Sequence, residues 1–382
     1  MNRTRLVPAL ALLGASVLLL AASPEPPRAT MHRVFGAVAV LLPLSLDEKR
    51  FAAPENQEAI SKEIHALAGA ARELENHGAG RDRSFRYLSR SLASDVEEIR
   101  ARYAFGRLEE ARFFVLEATR NCVACHERLP SQRDFPIADK LLADIDMASL
   151  SHHERSQLYV IARQFGKALD NWEDLFGEWL VSPGQLDAGG YLRDYLTVAL
   201  RVENSYGRAR ENLQKLRARA NVPDYLKPQL DAWIADLERF EASPPTANDV
   251  AGVRRIIDAA PDPKPGGDGS TLISDLVASA ALLRLLDQRA PARSPEADAE
   301  LSEIYFLLGL VEARSVESFW VPQAPFHLEM AIRLNPTGPN ATTALALIEE
   351  QFSIGYGGLS PDELPVDLWT TLEELRKLTQ GS

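Results

Sequence analysis

Between Leu108 and Cys125 the residues Leu108, Ala111, Val115, Ala118, Cys122 and Cys125 recur at spacings of 3, 4, 3, 4 and 3. That is the period of one apolar face of an α-helix packed in a bundle. A half-buried strand would need a period of two. Two more stripes precede it: Ile60, Ile64, Leu67, Ala71 and Leu74, then Phe85, Leu88, Leu92, Val96, Ile99 and Tyr103. Gly78, Gly80, Gly106 and Pro130 supply stop signals between or after these stripes. The pattern predicts four helices, over Met31–Leu44, Pro54–His77, Arg83–Ala104 and Leu108–Leu129, closing into one bundle at 31–133. The fold class expected is all-α.

From Asp134 onward the chain stays helical but its composition changes. All five tryptophans, Trp172, Trp179, Trp233, Trp320 and Trp369, lie here. Tyr159, Phe165, Ala168 and Trp172 are followed by Leu200, Tyr206, Ala209 and Leu213 in similar register. Leu308-Gly309, Leu328, Ala331 and Pro336 form a third such set. Small residues that let two antiparallel helices approach, with aromatics filling the gaps between hairpins, resemble the tetratricopeptide repeat. The period is irregular, so a helical array without true repeats stays open. "PDPKPGGDGS", 261–270, reads as the internal linker, giving helical segments at 134–260 and 271–380.

The charge divides along the same line. Residues 1–135 hold 19 Lys/Arg and 17 Asp/Glu, which leaves 23 and 37 in 136–382, a balance of −14 there. With −12 overall, no basic face stands ready to neutralise phosphates, so nucleic acid is not an expected partner. The start, "MNRTR" followed by an apolar run that ends near Ala22 and Ser23, reads as a signal peptide over 1–23. An uncleaved anchor is the alternative. Either way the expected compartment is the periplasm.

The two cysteines of the chain stand in "NCVACHERL", as Cys122, Cys125 and His126, a C-x-x-C-H motif. A zinc site would need about four ligands, and no second cysteine pair exists. A redox dithiol belongs at the start of a helix after a strand, whereas this pair lies near a helix end. A disulfide across three residues of a helix would be strained. Covalent attachment of one haem c uses all three residues, two thioethers and an axial imidazole, and agrees with an export signal.

A four-helix bundle with C-x-x-C-H near the end of its last helix resembles the class II c-type cytochromes, the cytochrome c′ group. The resemblance covers about the first third of the chain. It implies thioether bonds at Cys122 and Cys125, His126 as proximal iron ligand, and a homodimer as one state of assembly. The basic residue expected three or four positions after the histidine is missing: "HERLPS" puts Arg128 at plus two and Pro130 at plus four.

For the sixth position three options stay open. Met31 opens the first helix, near where methionine-ligated members of the group carry their ligand. His32 and His65 are the histidine candidates. With no protein ligand, Val34, Phe35, Val38 and Leu41 would wall an apolar distal side. Two functions follow: electron transfer, with the helical region docking a redox partner protein, or binding and sensing of NO or CO. Peroxidation would need a distal acid/base, and His65 is the one candidate. No phosphate loop and no other catalytic constellation is present in the sequence.

Overall fold

The computed structural model describes residues 27–78, 83–126, 142–143, 145–245, 249–260, 269–289, 294–314, 323–355, 357–358, 360 and 363–381. Residues 1–23, Arg128, Pro130, Trp320 and most of the linker at 261–270 lie outside the described residues. Among those described the chain is all-helical, with no strand. No described helix is long and apolar enough to cross a membrane.

The first region contains α1 (Pro27–Ser45), α2 (Glu48–Ala52), α3 (Gln57–Gly78), α4 (Arg83–Ala104) and α5 (Leu108–His126). α1 begins a turn earlier than its pattern suggested. Asp47 caps α2 by accepting from the Lys49 and Arg50 amides, and Pro54–Asn56 is a 3-10 turn where the sequence suggested the start of the next helix. The apolar stripes all face inward: Ile60, Ile64, Leu67, Leu88, Val96, Ile99, Ala111, Val115 and Ala118 are buried. α1 packs on α3, α3 on α4, α4 on α5, and α5 returns to α1. Gly106, at φ 72, makes the turn between α4 and α5 in the left-handed region, where a side chain would be strained.

The second region runs through α6 (His152–Ile161), α7 (Phe165–Gly177), α8 (Pro183–Ala188), α9 (Tyr191–Leu196), a π-helical turn at Thr197–Val202, α10 (Tyr206–Arg217) and α11 (Leu226–Ala242). It continues through α12 (Val250–Ala259), α13 (Leu272–Arg289), α14 (Pro295–Arg314), α15 (Ala324–Leu334), α16 (Ala341–Gly355) and α17 (Val366–Thr379). Ser151 and Ser182 close capping boxes with Glu154 and Gln185 at the starts of α6 and α8. Neighbours pack pairwise: α6 on α7, α10 on α11, α14 on α15, α15 on α16. At Gly309 an added Cβ would lie 2.5 Å from Leu328 Cγ, so the α14–α15 approach requires glycine there.

The buried apolar residues form two clusters. One runs from Val34 through the first region to Val277, and the other from Val250 to Leu375. α12 contributes Val250, Val253 and Ile257 to the second, while Leu272, Ile273, Leu276 and Val277 of α13 belong to the first. The apolar division therefore passes through α13 and not through the linker. α13, with apolar residues on every face, is buried on nearly all sides from Leu272 to Leu286. Tyr87 of α4 stacks on Phe326 of α15, with ring centroids 4.3 Å apart, and joins the two clusters.

Candidate functional site

The last turn of α5 places Cys122, Cys125 and His126 within an arc of about 100° at 3.6 residues per turn. Both cysteines are reduced, with no disulfide between them. Cys122 is 7% exposed and belongs to the main core cluster, with Cys125 packed at its edge. Burial pushes the Cys122 thiol up to about 12. Its Sγ donates to the Ala118 carbonyl at 3.9 Å.

His126 closes the turn against α6, which packs on α5. Its ring hydrogen-bonds the Ile161 backbone, and burial first, then the charge of Arg163, lower its pKa to about 4. The imidazole is therefore neutral at neutral pH. Its Nδ1 is shielded from solvent and has no hydrogen-bond partner. One ring nitrogen fixed by a carbonyl and the other free with its lone pair is the arrangement of a ligand histidine. Arg163 itself stands at φ 58, a left-handed conformation uncommon for arginine, in the turn that ends α6.

Polar pairs mark the level of this turn across the four long helices. Arg33 of α1 pairs with Glu73 of α3. Arg72 of α3 pairs with Glu97 of α4. Asn121 of α5 donates to Asp95 of α4 at 2.5 Å. Met31, partly buried against the main cluster, thus sits at the same end of the helices as Cys122. Val34, Phe35, Val38 and Leu41 are buried along the same helix. The structure brings the predicted distal wall and the cysteines into one core.

His65 is excluded from that core. It is exposed on α3, and its Nδ1 bonds the Ser61 carbonyl of its own helix at 2.7 Å. The stripe of α3 runs through Ile64 and Leu67, so the intervening position turns outward. His65 is neither a sixth ligand nor a distal acid/base. The neighbouring histidines of α6 also diverge, as side chains one residue apart must. His152 meets the Asn171 carbonyl at 3.0 Å and Glu178 at 3.0 Å, while His153 lies against the Tyr191 ring. Among the described residues no three His, Cys, Asp or Glu gather into a cation site.

Sequence reasoning missed Asn121, Asp95, Ile161 and Arg163. Asn121 had left a signal, since asparagine inside a helix is unfavourable unless its side chain is used. Ile161 and Arg163 left none, because their place beside His126 depends on how α6 packs. No family model, curated protein or solved structure matches the chain.

Proposed function

We propose that the chain is an exported monohaem c-type cytochrome that transfers electrons, with its C-terminal helices docking a redox partner protein. The observation that carries this reading is the last turn of α5: two reduced thiols three residues apart on a core-facing seam, followed by a neutral histidine with a shielded, unpartnered nitrogen. In this reading the four long helices form a class II cytochrome bundle, and the hairpins after α5 form a tetratricopeptide-like array.

Cys122 and Cys125 would hold the haem by adding their S–H groups across its two vinyl groups, a step that needs no external oxidant. His126 would bind the iron through a ring nitrogen. When bound, the haem provides a one-electron Fe(III)/Fe(II) couple. The chain's own residues do the rest. The Asn121–Asp95 bond holds the end of α5 against α4. The Ile161 carbonyl orients the imidazole. Val34, Phe35, Val38 and Leu41 are buried along α1 and would keep water from a bound haem, and Met31 of the same helix would be the candidate for a second iron ligand.

The purified protein should give a haem spectrum that survives denaturation and cycles reversibly in a potential titration. A haem that cannot be cycled at physiological potentials rules out electron transfer. The buried apolar wall of α1 also supports a second reading, a five-coordinate haem that binds NO or CO. A low-spin spectrum insensitive to CO would exclude that second reading.

A further inference from the structure

Trp172 and Trp233 are buried, whereas Trp179 is 80% exposed. An indole carries one of the largest apolar surfaces of any side chain, and that surface is ordinarily buried. The loop that presents Trp179 is nonetheless held firmly. Arg219 donates to the carbonyls of Phe176, Glu178 and Val181 at 3.1, 3.1 and 2.7 Å, on both sides of the indole. A loop tied at three carbonyls holds the ring ready, which removes the cost of ordering it when a ligand arrives.

Trp179 borders a cleft of about 580 Å³ between the ends of α7 and α10. Sites for small organic molecules run to roughly 300–1,000 Å³ and combine an apolar lining with a few charged or polar groups that set orientation. Trp179, Phe176 and Leu216 supply the apolar part here.

The charges along the cleft are unequal. Glu173 lines it but is already bound by Arg208 at 2.6 Å and by the Tyr195 hydroxyl at 2.9 Å. Lys215 and Arg219 also line it, and neither meets a carboxylate among the described residues. The three acceptors of Arg219 are neutral carbonyls, which leave its charge uncompensated. Asp174 is the single unpaired carboxylate against these two cations. The cleft therefore keeps one positive charge in excess, inside a region whose overall balance is −14. Two cations that share one carboxylate gain from a second. Lys215 is the better placed to take it. Its ammonium has three donors, and none is engaged among the described residues, whereas the Arg219 fork is occupied by the loop.

We infer that this cleft binds a small organic carboxylate, with its apolar body on the Trp179 indole and its carboxylate on the Lys215 ammonium. Arg219 fixes the indole and adds positive field, and Asp174 opposes the ligand. The inference goes beyond the cytochrome reading and does not depend on haem.

The test uses the full chain and three probes of one shape: phenylacetate, its neutral amide phenylacetamide, and the cation phenethylamine. Calorimetry should show phenylacetate binding with a dissociation constant of about 1 mM, weakening as salt rises. The amide and the amine should bind about tenfold more weakly or worse. Lys215→Gln should lower phenylacetate affinity about tenfold and erase its advantage over the amide. Trp179→Ala should weaken acid and amide together, and Asp174→Asn should tighten the acid. All three side chains are exposed, so the melting temperature should stay unchanged in each variant. Equal binding of the three probes, no binding of phenylacetate, a preference for the acid that survives Lys215→Gln, or weaker binding in Asp174→Asn overturns the site.

Discussion

The helices of residues 27–126 and those of residues 145–381 bury their polar groups differently. In the first region the buried polar side chains are mostly small and local. Ser45 bonds Leu41 four residues back, Ser89 bonds Arg86 and Thr119 bonds Leu116. In the second region charged groups are buried far apart in sequence. Arg201, from the π-helical turn, meets Glu312 of α14 at 2.8 Å, and Glu312 meets His327 of α15 at 3.1 Å. His327 is fully buried, and its Nε2 has no partner. Asp275 on α13 is 2% exposed, with Arg314 3.9 Å away. A simple apolar seam can set four long helices in register. Many short hairpins need something more specific, and buried ion pairs that penalise every mispacked arrangement provide it.

The contrast is most sharply broken at Glu312. Removing one partner of a buried pair strands a charge, so Glu312→Ala should cost about 3–5 kcal/mol, measured by denaturant unfolding. The second apolar cluster should loosen before the first. Ile64→Ala in the first region should cost about 2–5 kcal/mol and loosen the regions in the opposite order. If the two variants unfold the chain identically, the regions are one cooperative unit and the comparison fails.

The acid limb gives the next effect. Burial alone would raise the Glu312 carboxyl, but pairing with His327 and Arg201 more than reverses it and holds the group at about 2. A depressed carboxylate stabilises the fold above its ordinary value of 4.5, and that stability is lost as pH falls through about 2. Glu312→Gln should flatten the decline between those values, as seen in melting temperature against pH.

Asp275 works in the other direction. Burial, only partly offset by Thr271 and Arg314, raises it from 3.8 to about 6. The folded state then favours the protonated acid, so the group costs stability as pH rises from 3.8 toward 6. Asp275→Asn should raise the melting temperature at pH 7 and change nothing below pH 3.8. The smallest effect belongs to exposed pairs. Arg333–Glu374 joins α15 to α17 on the surface, and Arg333→Ala should change stability by about 1 kcal/mol or less.

The helices of the first region were legible because each stripe is long and its period unbroken. Ile60 to Leu74 could face only one way. Gly106 also read correctly as a break between α4 and α5, since a glycine that stops a helix is local chemistry. The five-residue α2 was not legible, being too short to show a period. α13 carried no single stripe because it has apolar residues on every face, so the sequence placed a boundary before it when it in fact serves both clusters. The Arg201–Glu312–His327 network spans 126 residues with no local sign. At the C-x-x-C-H turn the three candidate residues stand out in the sequence from their spacing alone. What surrounds them was not, because Ile161 and Arg163 reach His126 only through the packing of α6.

The central claim rests on Cys122, Cys125 and His126, and a single measurement reaches it directly: the absorption spectrum of the purified protein, oxidised and reduced, before and after acid–acetone extraction, with and without CO. The account predicts one haem per chain that resists extraction, that becomes extractable in Cys122→Ser/Cys125→Ser, and whose axial bands change in His126→Ala. A protein purified from cells competent in c-type haem attachment that shows no haem absorption, or haem removed by extraction from the unaltered chain, would contradict it.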